Sequence, residues 1–343
     1  VNTLSNQSPR PVDFALFGIV SAIVIGLLYG LNPYAHGYGS ELVTVFHFMR
    51  VVWTGSEDWE HCFLVPFAIG AMIYFERHNL PKAQFENSRA GFALLAFGLF
   101  VYWVGYRADN IYIAYASLQL VVGGLVFWMM GWTWAKALFI PWAFMVFLFP
   151  LVFLDNLVAF PLRMVMSEAS VHVLNFLGIA SVKSGTALLS APDMLAGIRA
   201  GAKFSVDVAD PCSGIRSLFA LMMVSALYGY FTQKTLWKKA ALFLCSIPLA
   251  IMGNLARILM LTLGTIAMGP EIAIGTLDDP TFFHMLAGYL VFAVALCGML
   301  GVASLLNADW PLIIGRFRKN LERTPVAPVG PTTKFAKPRQ DEY

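Results

Sequence analysis

Apolar runs close to or beyond the ~20 residues that a helix needs to cross a bilayer recur along almost the whole chain, and they constrain its fold more than any other feature. "FALFGIVSAIVIGLLYGL" near the N-terminus and "MLAGYLVFAVALCGMLGVASLL" near the C-terminus are the clearest. A soluble chain of 343 residues must cover itself with charge. Here only 13% of residues are charged, and the mean hydropathy is +0.68. The expected fold class is therefore all-α, a polytopic transmembrane helix bundle. The pattern predicts about eight spans, near 14–32, 62–75, 90–106, 111–130, 137–155, 213–231, 240–264 and 284–305. The second is short as drawn, and a further span pair around 42–53 has weak support. The segment 157–180 carries Arg163, Glu168 and His172, so it reads as an additional interfacial or re-entrant helix.

Loop charges set the orientation. With the N-terminus in the cytoplasm, 15 of the 23 Lys and Arg fall inside, and 13 of the 20 acids fall outside. Without the tail after 306 the basic split is eight against eight, so the direction rests on "TQKTLWKK" and on that tail. Residues 1–13 then form a cytoplasmic N-terminal tail, 14–306 the membrane domain and 307–343 a basic, Pro-rich cytoplasmic tail suited to anionic lipid. The first span is like a signal peptide only superficially, because no strong basic cluster precedes it and no clean small-x-small site follows. A formal charge of +3 is too small to imply nucleic acid. Four scattered cysteines give no disulfide or zinc signature, and no close ligand pair points to a metal; no cofactor is implied.

Three polar groups stand out at span ends that share the outer side. In "ADPCSGIRS", Asp210 suits an N-cap and Pro211 the first helical position. Cys212 then falls in the first turn, where the helix N-terminus favours a thiolate. Arg216 lies four residues on and adds positive potential, and Gly214 leaves room for a substrate backbone. The competing reading is a small buried cysteine at a helix cap. In the run "AALFLCSIPLAIMGNLARILMLTLG", Arg257 lies about 17 residues, or ~26 Å, above the inner start, near the outer level. An arginine there snorkels, pairs or faces the bundle interior; Asn254 shares its side. His284 opens the last span, with Asp279 as its expected cap and Pro280 after it. Cys245 and Cys297 lie within apolar spans and read as packing residues. Thiol, guanidinium and imidazole at one depth have the composition of a cysteine acyl-transfer site. Other classes open on the same residues are another cysteine acyltransferase with a lipid donor, a multi-span transporter and an assembly scaffold.

"PCSGIRSL", "NLAR" and "HMLAG" resemble the exosortase/archaeosortase family of membrane cysteine transpeptidases. An earlier stretch, "DWEHCFLVPFAIG", resembles that family's histidine-containing segment through His61 and Pro66, with Glu60 where an aromatic or serine is usual. The likeness covers about 55–305. It implies Cys212 as nucleophile, Arg257 as transition-state stabiliser or orienter of a substrate carboxyl or carbonyl, and His284 as acid/base, with Arg216, Asn254, Ser213, Gly214 and His61 binding or supporting substrate. It further implies cleavage of C-terminal sorting signals (a short motif, a transmembrane helix and a basic cluster of the PEP-CTERM type) on exported proteins. The expected place is the periplasmic face of a bacterial inner membrane, with transfer to water or to a lipid or surface-component amine.

Overall fold

The computed structural model describes residues 9–34, 42–56, 59–207, 215–275 and 281–308. It is a helical membrane bundle with one small sheet. In chain order the helices are α1 (Pro11–Ile25, continued by a π-helical turn Gly26–Leu31), α2 (Val45–Gly55), α3 (Val65–Phe75, entered through a 3₁₀ turn Glu60–Leu64), α4 (Arg89–Arg107), α5 (Ile111–Ala137) and α6 (Phe139–Phe144). They continue as α7 (Phe160–Phe176), α8 (Ile215–Thr232), α9 (Leu236–Met268), α10 (Pro270–Ala273) and α11 (Phe282–Asn307). Three strands, β1 (Ser181–Ser184), β2 (Ala187–Ser190) and β3 (Ser205–Asp207), lie between α7 and α8. One compact unit ends at Ala303; the next, Ser304–Tyr343, supplies the last turn of α11 among its described residues.

Among the described residues, six helical runs are long and apolar enough to cross a membrane: Pro11–Leu31, Arg89–Arg107, Ile111–Ala137, Leu157–Phe176, Leu236–Met268 and Phe282–Asn307. Glu60–Phe75 and Phe139–Leu148 are shorter apolar helices, and α8 adds an 18-residue helix. Each expected span thus has a helix, with two corrections. The run expected at 137–155 stops at Leu148, because Pro150 lacks the N–H that would continue the ladder and pushes Phe149 to extended backbone (ψ 120°). The segment around 42–53 forms a single 11-residue helix rather than a span pair.

Packing of α4 on α5 shows how the bundle closes without a strong hydrophobic drive between helices. Gly91, Gly98 and Gly105 recur on one face of α4. A Cβ at Gly98 would stand 3.0 Å from the Val121 backbone nitrogen, and one at Gly124 would stand 2.6 Å from Leu95 Cα. The backbones therefore approach too closely for any side chain there. Tyr102 ties this pair to α1: its hydroxyl donates to the Leu28 carbonyl at 2.7 Å and accepts from Asn32 Nδ2 at 2.8 Å. The π turn leaves that carbonyl available.

The sheet has no counterpart in the sequence reading. Its order is β1-β2-β3, antiparallel throughout, with Leu188 opposite Val206. It lies along α7: Ser167 Oγ donates to the Thr186 carbonyl at 2.7 Å, and Lys183 reaches Glu168 at 2.6 Å. That ion pair faces solvent at Glu168 and is screened, so it adds little to stability. Buried Leu188 and Val206 contribute more, roughly 1.5–3 kcal/mol each. They share one core with Met166 and Val171 of α7, Ile258 and Leu261 of α9, and Ala287 of α11. A sheet with open edges has no place in hydrocarbon. The C-terminal half of α7 carries Glu168 and His172 3.4 Å apart, while Leu157–Phe176, expected as an interfacial or re-entrant helix, is long and apolar enough to cross a membrane.

Candidate functional site

The site is built where α8, α9 and α11 meet beneath the sheet. Arg257 and Asn254 occupy successive turns of one face of α9, three residues apart. Asn254 is buried at 4% exposure. The Arg257 guanidinium lies on the backbone of α11: a Cβ at Gly288 would meet Cζ at 3.4 Å, Nη2 at 3.5 Å and Nε at 3.6 Å. A Cβ at 288 would sit at ordinary contact distance, and a side chain branching further toward α9 would compete with the guanidinium for space. His284 is one helical turn from Gly288, buried at 8% exposure. Its backbone N–H donates to Thr281 Oγ1 at 3.2 Å, so Thr281 supplies the hydroxyl cap of this helix. Asp279, expected in that role, and Pro280 lie outside the described residues.

Ser217 and Leu221 of α8 close the third wall. With Ala250, Gly253, Asn254 and Arg257 of α9, and Gly288, Val291, Phe292 and Ala295 of α11, they line a small, partly open cavity of about 30 Å³. The arginine stands at one end and alanines at the other, about 10 Å apart along the helices at 1.5 Å per residue. Helix approach is again set by glycine, since a Cβ at Gly253 would stand 3.1 Å from Val291 Cγ1. The cavity thus offers a cation, an amide and the Ser217 side chain among apolar neighbours, and a cation with an amide can stabilise negative charge developing on a carbonyl oxygen.

The structure brings Arg257, Asn254 and the helix carrying His284 together. It places His61 elsewhere. The His61 ring stacks on Phe219 of α8 at 6.2 Å between centroids and 13° between planes, and Trp59 packs on both rings. Phe219 is two residues, or roughly 200°, around the helix from Ser217. His61 is therefore on the opposite flank of α8 from the cavity. Arg216 Nη2 pairs with Glu60 at 3.4 Å, both side chains about half exposed. Its charge is thus shared with a carboxylate that the sequence reading did not connect to it. Cys212, Ser213 and Gly214, and with them the expected Asp210–Pro211 cap, lie outside the described residues; Cys212 is three residues before α8 in sequence. Of the other cysteines, Cys62 is buried, Cys245 half-buried and Cys297 exposed. Burial as core residues therefore fails for Cys297, which points away from the bundle. Among the described residues, no group of three or more His, Cys, Asp or Glu comes together as a metal site would require.

A multi-pass helical membrane protein with a half-buried arginine beside a buried amide where three helices meet is the class that fold and site define. Within that class, the model of the transmembrane exosortase family (Exosortase_EpsH) matches residues 53–301, and the chain belongs to this family of membrane sorting transpeptidases. The match takes in the His61 segment, the Cys212 segment, Arg257 and His284. No curated protein matches the chain, and no solved structure does.

Proposed function

We propose that the chain is a cysteine transpeptidase that cleaves C-terminal sorting signals of exported proteins at the outer face of the cytoplasmic membrane. The observation that carries the reading is the Arg257 guanidinium resting on Gly288, one turn from His284, in a cavity whose third wall begins at Ser217. The family's cysteine segment immediately precedes that third helix. In this mechanism the Cys212 thiolate attacks the scissile carbonyl carbon. The resulting oxyanion is held by Arg257, with Asn254 one turn deeper. Collapse breaks the C–N bond, and the His284 imidazolium gives its proton to the departing amine of the membrane-anchored fragment. The acyl group remains on sulfur as a thioester. An acceptor amine, or water, then attacks that carbonyl and loses a proton to His284, and the thiolate leaves. Exported proteins with a motif, a helix and a basic cluster are the substrates; membrane lipid surrounds the site, and a lipid or surface component supplies the acceptor.

The test is co-expression with a tagged exported protein of that C-terminal design encoded in the same genome. Cys212→Ala and Arg257→Ala are expected to abolish release of the C-terminal fragment while membrane insertion stays normal. Undiminished processing by inserted Cys212→Ala protein would falsify the thiol mechanism.

A further inference from the structure

The two edges of the small sheet differ. The edge of β1 is covered: Ser181 N–H donates to Asn175 Oδ1 at 2.8 Å, and Asn175 Nδ2 donates to the Ser181 carbonyl at 3.1 Å. A single α7 side chain thus satisfies both outward groups of that residue. On the other side, Ser190 N–H donates to the Phe204 carbonyl at 3.0 Å, while the Ser190 carbonyl accepts from Gly201 N–H at 3.0 Å; two residues further along the register, 188–206 is the pair whose backbone groups face each other across β2 and β3. By the alternation of an antiparallel strand, Val206 turns its backbone N–H and C=O toward β2, whereas Ser205 and Asp207 turn theirs outward. Among the described residues no strand pairs with that outer edge. Open edges are ordinarily covered or blunted.

This edge is held in fixed relation to the candidate centre. Val206 shares one core with Ile258 and Ala287, the residues next to Arg257 and Gly288. In sequence β3 ends five residues before Cys212. We propose that the outer edge of β3 receives an extended stretch of the exported substrate as an added strand, aligning its backbone before the carbonyl reaches the thiol. Strand addition recognises the peptide backbone, with side-chain choice left to alternate positions. The inference rests on the peptide-cleaving reading given above.

The experiment uses the full chain with the co-expressed tagged substrate. Ser205→Pro removes one outward N–H from a strand position that tolerates proline, and Ser205→Ala removes only the side chain. Loss of one backbone hydrogen bond is expected to lower kcat/KM by up to roughly tenfold in Ser205→Pro, through KM, with Ser205→Ala unchanged. Alkylation of Cys212 by iodoacetamide should proceed as in the wild type. A benzophenone amino acid introduced at position 205 is expected to crosslink substrate, while the same probe at Lys183 on β1 should not. This readout decides the matter even where proline lowers the folded yield. Wild-type KM in folded Ser205→Pro, or equal crosslinking at both edges, overturns the proposal and leaves the cysteine mechanism standing. Processing that survives Cys212→Ala sinks the mechanism itself.

Discussion

Enlarging Gly288 should disable Arg257 without touching it. An alanine Cβ fits, since its nearest guanidinium atoms would lie at 3.4–3.6 Å, ordinary contact distance. Valine extends each branch about 1.5 Å further, one C–C bond, so a methyl aimed at the guanidinium stands near 2 Å from it. The guanidinium must then move by more than about 1 Å, enough to misplace a catalytic donor. Losing one such donor costs about 2.7–4 kcal/mol, or 10²–10³ in rate. Gly288→Ala should therefore stay within a few-fold of wild type, and replacing a helix-interior glycine should stabilise α11 by up to about 1 kcal/mol. Gly288→Val should lose about 10²-fold or more in kcat/KM with normal membrane insertion. The assay is timed release of the tagged C-terminal fragment, run in both the wild-type and the Arg257→Ala background. If the effect is transmitted through the guanidinium, valine adds almost nothing once Arg257 is gone. A Gly288→Val protein as active as wild type, or a valine penalty that persists undiminished in Arg257→Ala, refutes the reasoning.

Three further outcomes follow from the same geometry. Ser167→Ala removes the hydroxyl that lies 2.7 Å from the Thr186 carbonyl and 2.9 Å from the Arg163 carbonyl as their donor; hydrogen exchange of the β1–β2 turn should accelerate by about 1 kcal/mol of lost protection, with α4 and α5 unchanged. Gly98→Leu should fail to insert as a folded bundle, seen as loss of the monodisperse species in detergent, because Val121 already stands 3.0 Å from a Cβ there; a normal profile contradicts the close α4–α5 approach. Processing should decline as pH falls below the thiol's titration, since only the thiolate attacks, and a rate that rises on acidification contradicts a cysteine nucleophile.

Most of the helical architecture was legible because length and apolarity dominate a membrane chain. The runs around 11–31, 89–107 and 282–307 announce themselves without tertiary information. The break after Leu148 was marked by Pro150, which the hydropathy of its neighbours outweighed. The sheet was harder to see. "SVKSGTALLS" carries hairpin signals, a Ser-Gly turn with Gly185 at φ +63° and apolar Val182 and Leu188, yet three- and four-residue strands give too little alternation to stand out. Arg257 and His284 stand out in the sequence through cost and position: an arginine within an apolar helix and an imidazole at a span entry are expensive in an apolar chain. Glu60 as the partner of Arg216, 156 residues away, and the separation of His61 from the cavity depend on helix rotation, which no local pattern encodes.

Mass spectrometry of the Cys212 peptide, from protein incubated with its tagged substrate while the acceptor is depleted, tests the central claim most directly. The account predicts an added mass equal to the substrate's upstream fragment, released by hydroxylamine as a thioester must be. Substrate cleaved at its normal site while Cys212 remains unacylated would contradict it.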